Sequence, residues 1–401
     1  MKKKILVVTP NFPYPSTGAD EQERAAGIEM LIALGYEVRV IAKVTPKHDQ
    51  TVPEARERLG IPIFPVSYKG GSWHPRFGTF RYYAARLLNP LHWDGASYEY
   101  FDPEIQGILK RELDGFKPDL VWVDYTYLWP LYGEIRKRGI PIVTRSINFE
   151  PVHAVQEEGW SLYSLLTFPA KVMSECLSIW QSVAVCAITP KEEKIYRFLG
   201  AKKAITVPLR SLPRLLRSGH TISDARPLHV FFLGSTYNVY HNSRGLLFLL
   251  REVIPLVERL APGEFRFHIL GSKVPEKFKG YFPPSAAHEG YVPDLGAFLA
   301  GMDIAVIPSL MGAGMQQKIF EPLAQGIPTV TSPRGLSGYP FEHGTHLLLA
   351  ESAQDYADRL LEMRDSALRA RLSREASLRS AKIFSAEKVE GAVKEALSVL
   401  R

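Results

Sequence analysis

The stretch that decides the fold reads Gly312-Ala-Gly-Met-Gln-Gln-Lys318-Ile-Phe-Glu321-Pro-Leu-Ala-Gln-Gly326-Ile-Pro-Thr-Val-Thr331. A strand pattern over residues 303–308 precedes it, and the stretch itself predicts a glycine-bearing loop, a short helix and a second strand. Free N–H groups at the start of such a helix, together with the helix dipole, favour a phosphate. Lys318 adds a positive charge there, and Glu321 offers a carboxylate to sugar hydroxyls. The two residues would equally form an ordinary surface pair, three residues apart on one helix.

Pro322 constrains where this helix begins. Proline is comfortable only in the first turn of a helix. We therefore expect the helix to begin close before Glu321, with its free N–H groups near residues 314–318.

The size and composition of the chain predict two globular domains. At 401 residues it is too long for one typical core, and 46% hydrophobic with 23% charged residues is ordinary for a globular protein. The sequence has no apolar run that could span a bilayer, and Met1 leads directly into a strand pattern rather than a signal peptide. Cys176 and Cys186 lie in apolar context without metal-ligand spacing. We therefore expect a cytoplasmic protein.

The net charge of +7 suits nucleic acid, an anionic membrane surface or phosphorylated small molecules. No nucleic-acid-binding motif is recognisable, so nucleic acid is not expected. Residues 73–93 mix aromatic rings with arginines and, with the apolar stretch 160–180, suit peripheral contact at the inner face of an anionic membrane. The alternative is that both are core helices of the first domain.

Short β-branched runs alternate with amphipathic helical stretches, which predicts parallel sheets with crossover helices. Strand patterns cover residues 5–9, 37–42, 120–123, 142–144 and 183–188, and then 229–233, 265–270, 290–292, 303–308 and 329–331. We therefore predict an N-terminal Rossmann-like domain over 1–206, a linker over 207–227, a C-terminal Rossmann-like domain over 228–383 and a final helix over 384–401. Packing of that helix on the first domain is one option. Parallel sheets bind ligands at the carboxyl ends of their strands, hence in the cleft between the domains.

Four pieces of sequence occur in one order: Ile5-Leu-Val-Val-Thr-Pro-Asn-Phe-Pro-Tyr-Pro-Ser-Thr-Gly18, Gly290-Tyr-Val-Pro-Asp-Leu295, Met302-Asp-Ile-Ala-Val-Ile-Pro308 and the stretch from Gly312. Each alone is weakly specific. Together they resemble the GT-B glycosyltransferases of family 4, a retaining group that uses nucleotide sugars, over nearly the whole chain. The resemblance implies an α/β fold of two doubly wound domains facing across a cleft. It also implies transfer of a sugar from a UDP- or GDP-sugar to a glycan, lipid-linked or small-molecule hydroxyl, with retention of configuration and without a cofactor. No Asp-x-Asp motif stands at the donor site, so no metal is expected.

The resemblance implies a donor site in the second domain. Lys318 matches a lysine that neutralises diphosphate charge, and Glu321 matches the second of two glutamates, which holds the ribose. The first glutamate would stand where this chain has Ala313, so the usual carboxylate contact to the transferred sugar is lost; a subset of the family carries Gly-x-Gly here. The other implied donor contacts are Gly18, Gly234, Ser235, Gly312, Ala313, Gly314 and Met315, with Tyr291 and Val292 against the base, and Asn238, His241 and Asn242 as further candidates for the phosphates.

Polar residues also follow two strands of the first domain. Asp124 stands where many relatives carry a functional histidine, and joins Lys318 and Glu321 as a candidate catalytic residue; the alternative is a strand-end carboxylate that caps the next helix. Three hydrogen-bonding side chains bunched after the next strand predict an acceptor or sugar pocket, against the alternative of a structural network. This pocket would comprise Arg145, Asn148 and Glu150, with His153 as a weaker member. Gly18 would equally make a simple turn before a helix capped by Asp20.

Two other functions remain open. A nucleotide-sugar 2-epimerase would use the same fold without a second substrate, although its expected carboxylates are not visible at matching positions. A non-catalytic nucleotide-sugar-binding subunit is suggested by Ala313.

Overall fold

The computed structural model describes residues 2–69, 84, 86, 89–158, 161–217, 219–311 and 315–400. It divides into two compact units, one of Met1–Ser211 with Glu387–Arg401 and one of Leu212–Ala386. The strands are β1 (Lys4–Thr9), β2 (Glu37–Val44), β3 (Ile63–Ser67), β4 (Leu120–Val123), β5 (Ile142–Arg145), β6 (Ala184–Ala187), β7 (Ala204–Thr206), β8 (Leu228–Thr236), β9 (Phe265–Ser272), β10 (Ala286–Gly290), β11 (Ile304–Ile307), β12 (Thr329–Thr331) and β13 (Leu348–Leu349). The helices are α1 (Ala19–Ala33), α2 (Thr51–Leu59), α3 (Gly95–Tyr98), α4 (Pro103–Gly115), α5 (Tyr132–Arg136), α6 (Glu150–Glu158), α7 (Leu162–Gln181), α8 (Pro190–Phe198), α9 (Tyr240–Phe248), α10 (Ile254–Leu260), α11 (Leu295–Ala300), α12 (Gln317–Ala324), α13 (Ala353–Glu362), α14 (Ser366–Phe384) and α15 (Ala386–Ala396).

In the described part of the first unit, seven parallel strands run in the order β3-β2-β1-β4-β5-β6-β7. Successive residues of β1 point to opposite faces: Ile5 and Val7 join one buried cluster, and Leu6 and Val8 join another. Such double-sided burial explains why the central strands read as continuous apolar runs. Helix α15 adds Val393 to the first of these clusters.

The second unit has six described parallel strands in the order β10-β9-β8-β11-β12-β13. Chain order runs outward from β8 in one direction and from β11 in the other, so the topological switch point lies between these two strands. In the first unit the switch point lies between β1 and β4. Crevices for ligands form at such points, at the carboxyl ends of the strands.

The predicted class of parallel α/β sheets is confirmed, with differences at single elements. The strand expected over 290–292 lies earlier as β10, because Gly290 adopts φ +70° and ends it. Three strands were not predicted. Strand β3 contains Pro65, which argues against a strand, and β7 and β13 have only three and two residues, which is too short for a recognisable pattern.

The segment predicted to contact a membrane lies largely outside the described residues. The apolar stretch 160–180 corresponds to α7, which buries Ile179 but leaves Leu162, Leu165 and Leu166 at least half exposed. Within the described residues, no helix is both long and apolar enough to cross a bilayer. Peripheral membrane contact stays a prediction.

Candidate active site

Two helices begin at the switch point of the second unit. Helix α9 follows β8, and α12 follows β11. Gly245, in the middle of α9, allows close packing here, because a Cβ on it would lie 2.8 Å from the carbonyl oxygen of Pro308, directly after β11. The packing therefore holds α9 against the carboxyl end of β11.

The Gln316 side chain forms hydrogen bonds with residues that follow β11. Its Oε1 accepts a hydrogen bond from Ser309 Oγ at 2.8 Å, and its Nε2 donates to the Met311 carbonyl oxygen at 3.3 Å. Ser332 Oγ in turn donates to the Ser309 carbonyl oxygen at 2.6 Å. Gln316 stands at the N-cap position but makes no capping hydrogen bond with its side chain. The start of α12 is therefore not capped by the Gln316 side chain, and N–H groups at the start of a helix are common partners of anionic ligands.

The glycine-bearing loop itself falls outside the described residues. The expected phosphate contacts of Gly312, Ala313 and Gly314 therefore stay predictions. Met315, two residues before the first residue of α12, is buried.

Lys318 lies in the first turn of α12 and points toward α9. Its Nζ donates to Asn242 Oδ1 at 2.9 Å and lies 6.0 Å from the centre of the Phe232 ring. Burial lowers the pKa of Lys318 to about 8. Among the described residues, the ion pairs include none for this lysine.

Glu321 lies one turn further along α12 and is half-buried. Burial raises its pKa to about 7, with the Arg217 charge acting in the opposite direction. The part of the chain that the structure describes contains no ion pair between Lys318 and Glu321, so the alternative of a simple surface pair is wrong. Two ionisable side chains with pKa values displaced toward neutrality on adjacent turns of one helix are typical of functional sites.

Helix α12 begins earlier than Pro322 alone suggested. Its first residue is Gln317, so Pro322 is the sixth residue and lies in the second turn. The expectation that this proline occupies the first turn is wrong. Because proline has no N–H, the helix forgoes the hydrogen bond from residue 322 to the Lys318 carbonyl oxygen. The N–H groups of Gln317 and Lys318 nevertheless fall at and just beyond the end of the glycine-bearing loop.

The remaining predicted donor residues of the second unit lie on strand ends and loops. Gly234 is buried within β8, where a Cβ would lie 2.7 Å from the Tyr237 ring, and Ser235 beside it is exposed. Tyr291 is 73% exposed and Val292 half-buried, between β10 and α11. Tyr291 therefore presents its ring to solvent, as a residue meant to stack on a base would.

In the first unit, Gly18 is the N-cap of α1. Its N–H donates to Glu21 Oε2 at 2.8 Å. The expected cap, Asp20, instead forms an ion pair with Arg24. The prediction that Asp20 caps this helix is therefore wrong, because the glutamate three residues after Gly18 reaches back to it.

Asp124 and Arg145 belong to one buried ionic network. Asp124 Oδ1 accepts from Trp122 Nε1 at 2.8 Å and from Arg210 Nη2 at 3.1 Å. Glu23 pairs with Arg210 at 2.9 Å and with Arg145 at 3.0 Å. These four charged side chains are almost completely buried. Asp124 is thus an ion-pair partner in the described structure, and the catalytic and pocket roles predicted for Asp124 and Arg145 stay predictions.

Asn148 and Glu150 come together through a residue that the sequence reasoning missed. Asn148 Nδ2 donates to the hydroxyl oxygen of Tyr125 at 3.3 Å, and that hydroxyl donates to Glu150 Oε1. Burial raises the pKa of Glu150, and the His153 charge opposes this shift. Burial also raises the pKa of the neighbouring Glu175, to about 8. Asn148 and Glu150 are thus brought together, whereas Arg145 belongs to the separate ionic network, and the acceptor or sugar pocket stays a prediction.

Within the described residues, no group of three or more His, Cys, Asp or Glu side chains could hold a metal ion.

Comparisons with known proteins agree with this architecture. Residues 227–366 match the family described as "Glycosyl transferases group 1". No curated protein matches the chain. Similar solved structures include sucrose-phosphate synthase from Thermosynechococcus elongatus, with 15% identity, a TM-score of 0.72 and coverage of 100% of this chain and 99% of that one.

Two further solved structures are similar over the same extent. HepE from Anabaena, in complex with UDP and glucose, has 14% identity, a TM-score of 0.66 and coverage of 99% of this chain and 100% of that one. S. aureus TarM, in complex with fondaparinux, alpha-GlcNAc-glycerol and UDP, has 11% identity, a TM-score of 0.67 and the same coverage. The chain therefore has the GT-B fold of these structures, as the motif order predicted, and its residues 227–366 match the group 1 glycosyltransferase family.

Proposed function

We propose that this protein is a glycosyltransferase that moves a sugar from a UDP- or GDP-sugar to an acceptor hydroxyl with retention of anomeric configuration. The observation that carries the proposal is the placement of Lys318 and Glu321 in the first two turns of α12. That helix lies at a switch point and inside the region that matches group 1 glycosyltransferases. HepE, of similar fold, has been crystallised with UDP-glucose, which supports a nucleotide-sugar donor.

The site would act mainly through electrostatics. As the glycosidic bond breaks, negative charge builds on the leaving diphosphate, where the Lys318 ammonium and the dipole at the start of α12 would stabilise it. Ionised Glu321 would accept hydrogen bonds from the ribose hydroxyls. Retention of configuration, and a glycan or lipid-linked acceptor, rest on the resemblance in motif order. In the first unit, the Asn148 and Glu150 cluster is the candidate for the acceptor.

Ala313 favours a second candidate, a subunit that binds a nucleotide sugar without turning it over. A panel of UDP- and GDP-sugars, incubated with the protein alone and with candidate acceptors, separates the possibilities. Transfer to an acceptor supports the transferase, conversion of the donor alone supports an epimerase, and binding without turnover supports the subunit.

Substitutions test the assignment of the donor site. Lys318→Ala is expected to weaken binding of UDP by about 10- to 100-fold, the equivalent of one hydrogen bond to a charged group, and to leave uridine binding unchanged. Glu321→Ala is expected to weaken the binding of UDP and of uridine alike, because both ligands carry the ribose. Lys279→Ala, which removes an exposed lysine of the same unit, is the matched control. Titration calorimetry measures all three, and UDP affinity that survives both site substitutions contradicts the assignment.

A further inference from the structure

The hydrogen bond between Lys318 and Asn242 joins two elements that are far apart in sequence. The two residues are 76 positions apart, and Asn242 Oδ1 accepts from Lys318 Nζ at 2.9 Å. The other end of the same amide is also engaged, because Asn242 Nδ2 donates to the Thr236 carbonyl oxygen at 3.0 Å. Asn242 is 5% exposed. A lysine can only donate, so the amide oxygen has to face it, and both partners fix the orientation of the side chain.

This bond spans the switch point of the second unit. Thr236 ends β8 and Asn242 lies in the first turn of α9, whereas Lys318 lies on α12 after β11. Without a partner, a lysine side chain samples many rotamers, and binding would have to fix them at a cost in conformational entropy. Asn242 fixes them before the ligand arrives.

The partner of Lys318 is a neutral amide, and this matters for an anionic ligand. A carboxylate at the same place would neutralise the ammonium, whereas an amide oxygen orients it and leaves its whole charge available. Glu321 lies one turn further along the same helix, and the Arg217 charge acts on Glu321. Burial is the cause of the lowered pKa of Lys318.

We propose that Asn242 is a positioning residue, which holds the Lys318 ammonium ready for the donor diphosphate without neutralising it. This role rests on the proposed function for its ligand, but the coupling between Asn242 and Lys318 exists without any ligand. The two can therefore be tested separately.

The first experiment uses the whole protein without nucleotide. The rate of acylation of Lys318 is followed against pH by mass spectrometry, which reports the pKa of this one amine. A hydrogen bond to the charged form favours it, and an adjacent carboxylate favours it more. We therefore expect Asn242→Asp to slow acylation at neutral pH by about tenfold, and Asn242→Ala to speed it by up to a few-fold. The control is Ser243→Asp, which adds the same carboxylate to the next residue of α9, whose hydroxyl bonds to the Tyr240 carbonyl oxygen instead; it should leave the rate unchanged.

The second experiment measures binding of UDP and uridine by calorimetry. Asn242→Ala is expected to weaken the binding of UDP by about tenfold and to leave the binding of uridine unchanged. Asn242→Asp is expected to weaken the binding of UDP further. Thermal unfolding of each variant establishes that it is folded. If wild-type protein binds no nucleotide, the proposed function fails while the acylation rates still decide the coupling. Equal acylation in all variants, or equal losses for UDP and uridine, would overturn the role of Asn242.

Discussion

Burial shifts the pKa values of Lys318 and Glu321 in opposite directions, and both values come close to 7. Burial lowers the pKa of the lysine to about 8 and raises that of the glutamate to about 7, and the described residues show no ion pair between them. Each charge is thus partly desolvated, and neither compensates the other. A ligand that supplies a diphosphate to one and hydroxyl donors to the other would recover that lost solvation, which makes the unliganded site complementary to a nucleotide sugar.

The affinity for UDP-glucose should therefore depend on pH, with a maximum between about 7 and 8. Below the pKa of Glu321, protonation removes the acceptor for hydroxyl groups; above that of Lys318, deprotonation removes the charge that meets the diphosphate. The diphosphate of UDP-glucose does not itself titrate in this range. Calorimetry between pH values of about 5.5 and 8.5 measures the profile.

Two variants assign the two limbs of this profile. Lys318→Arg should abolish the alkaline limb, because a guanidinium stays charged. Glu321→Gln should abolish the acid limb. A profile of unchanged shape in both variants would mean that other groups titrate.

At the scale of elements, Gly245 shows packing overriding helix propensity. A glycine inside a helix costs about 1 kcal/mol relative to alanine. Here it is required because a Cβ would meet the Pro308 carbonyl oxygen at 2.8 Å, and backbone cannot move aside cheaply. The helix that carries Asn242 is therefore seated on β11 through this glycine.

Gly245→Ala is accordingly expected to destabilise the protein by about 1–3 kcal/mol, the usual cost of overpacking. Chemical denaturation measures it. Gly391→Ala is the matched control, since Gly391 is exposed, lies in α15 and has nothing within 4 Å of a built Cβ. That substitution should stabilise by about 0.5–1 kcal/mol through propensity alone. If both substitutions changed the free energy of unfolding in the same direction and by the same amount, the contact with Pro308 would carry no cost.

Some of these elements and contacts could be predicted from the sequence, and others could not. Long apolar runs such as β1 and β4 were predictable because burial on both faces excludes polar residues from them. The placement of Lys318 and Glu321 on adjacent turns was predictable because one helix carries both, so their spacing in the sequence sets their spacing in the structure. The pairing of Lys318 with Asn242, and that of Glu23 with Arg210, could not be predicted. These residues are 76 and 187 positions apart, and tertiary packing alone brings them together.

At the scale of the whole molecule, the first unit is discontinuous in sequence. The chain leaves it at Ser211 and returns at Glu387. Val393, Ala396 and Leu397 then join the buried cluster formed by one face of β1 and β2. The first unit therefore lacks part of its core until the last turns of the chain have folded.

Leu397→Ala tests this dependence. Leu397 is 3% exposed, so the truncation should cost about 2–4 kcal/mol, and the loss should appear as faster amide hydrogen exchange in β1 and β2 with exchange in β8 and β11 unchanged. Leu378→Ala is the matched control on α14, where the leucine is 61% exposed and its loss should stay within about 0.5 kcal/mol. Exchange that rises equally in both sheets would mean that the two units unfold together, because local weakening of one core would then reach the other.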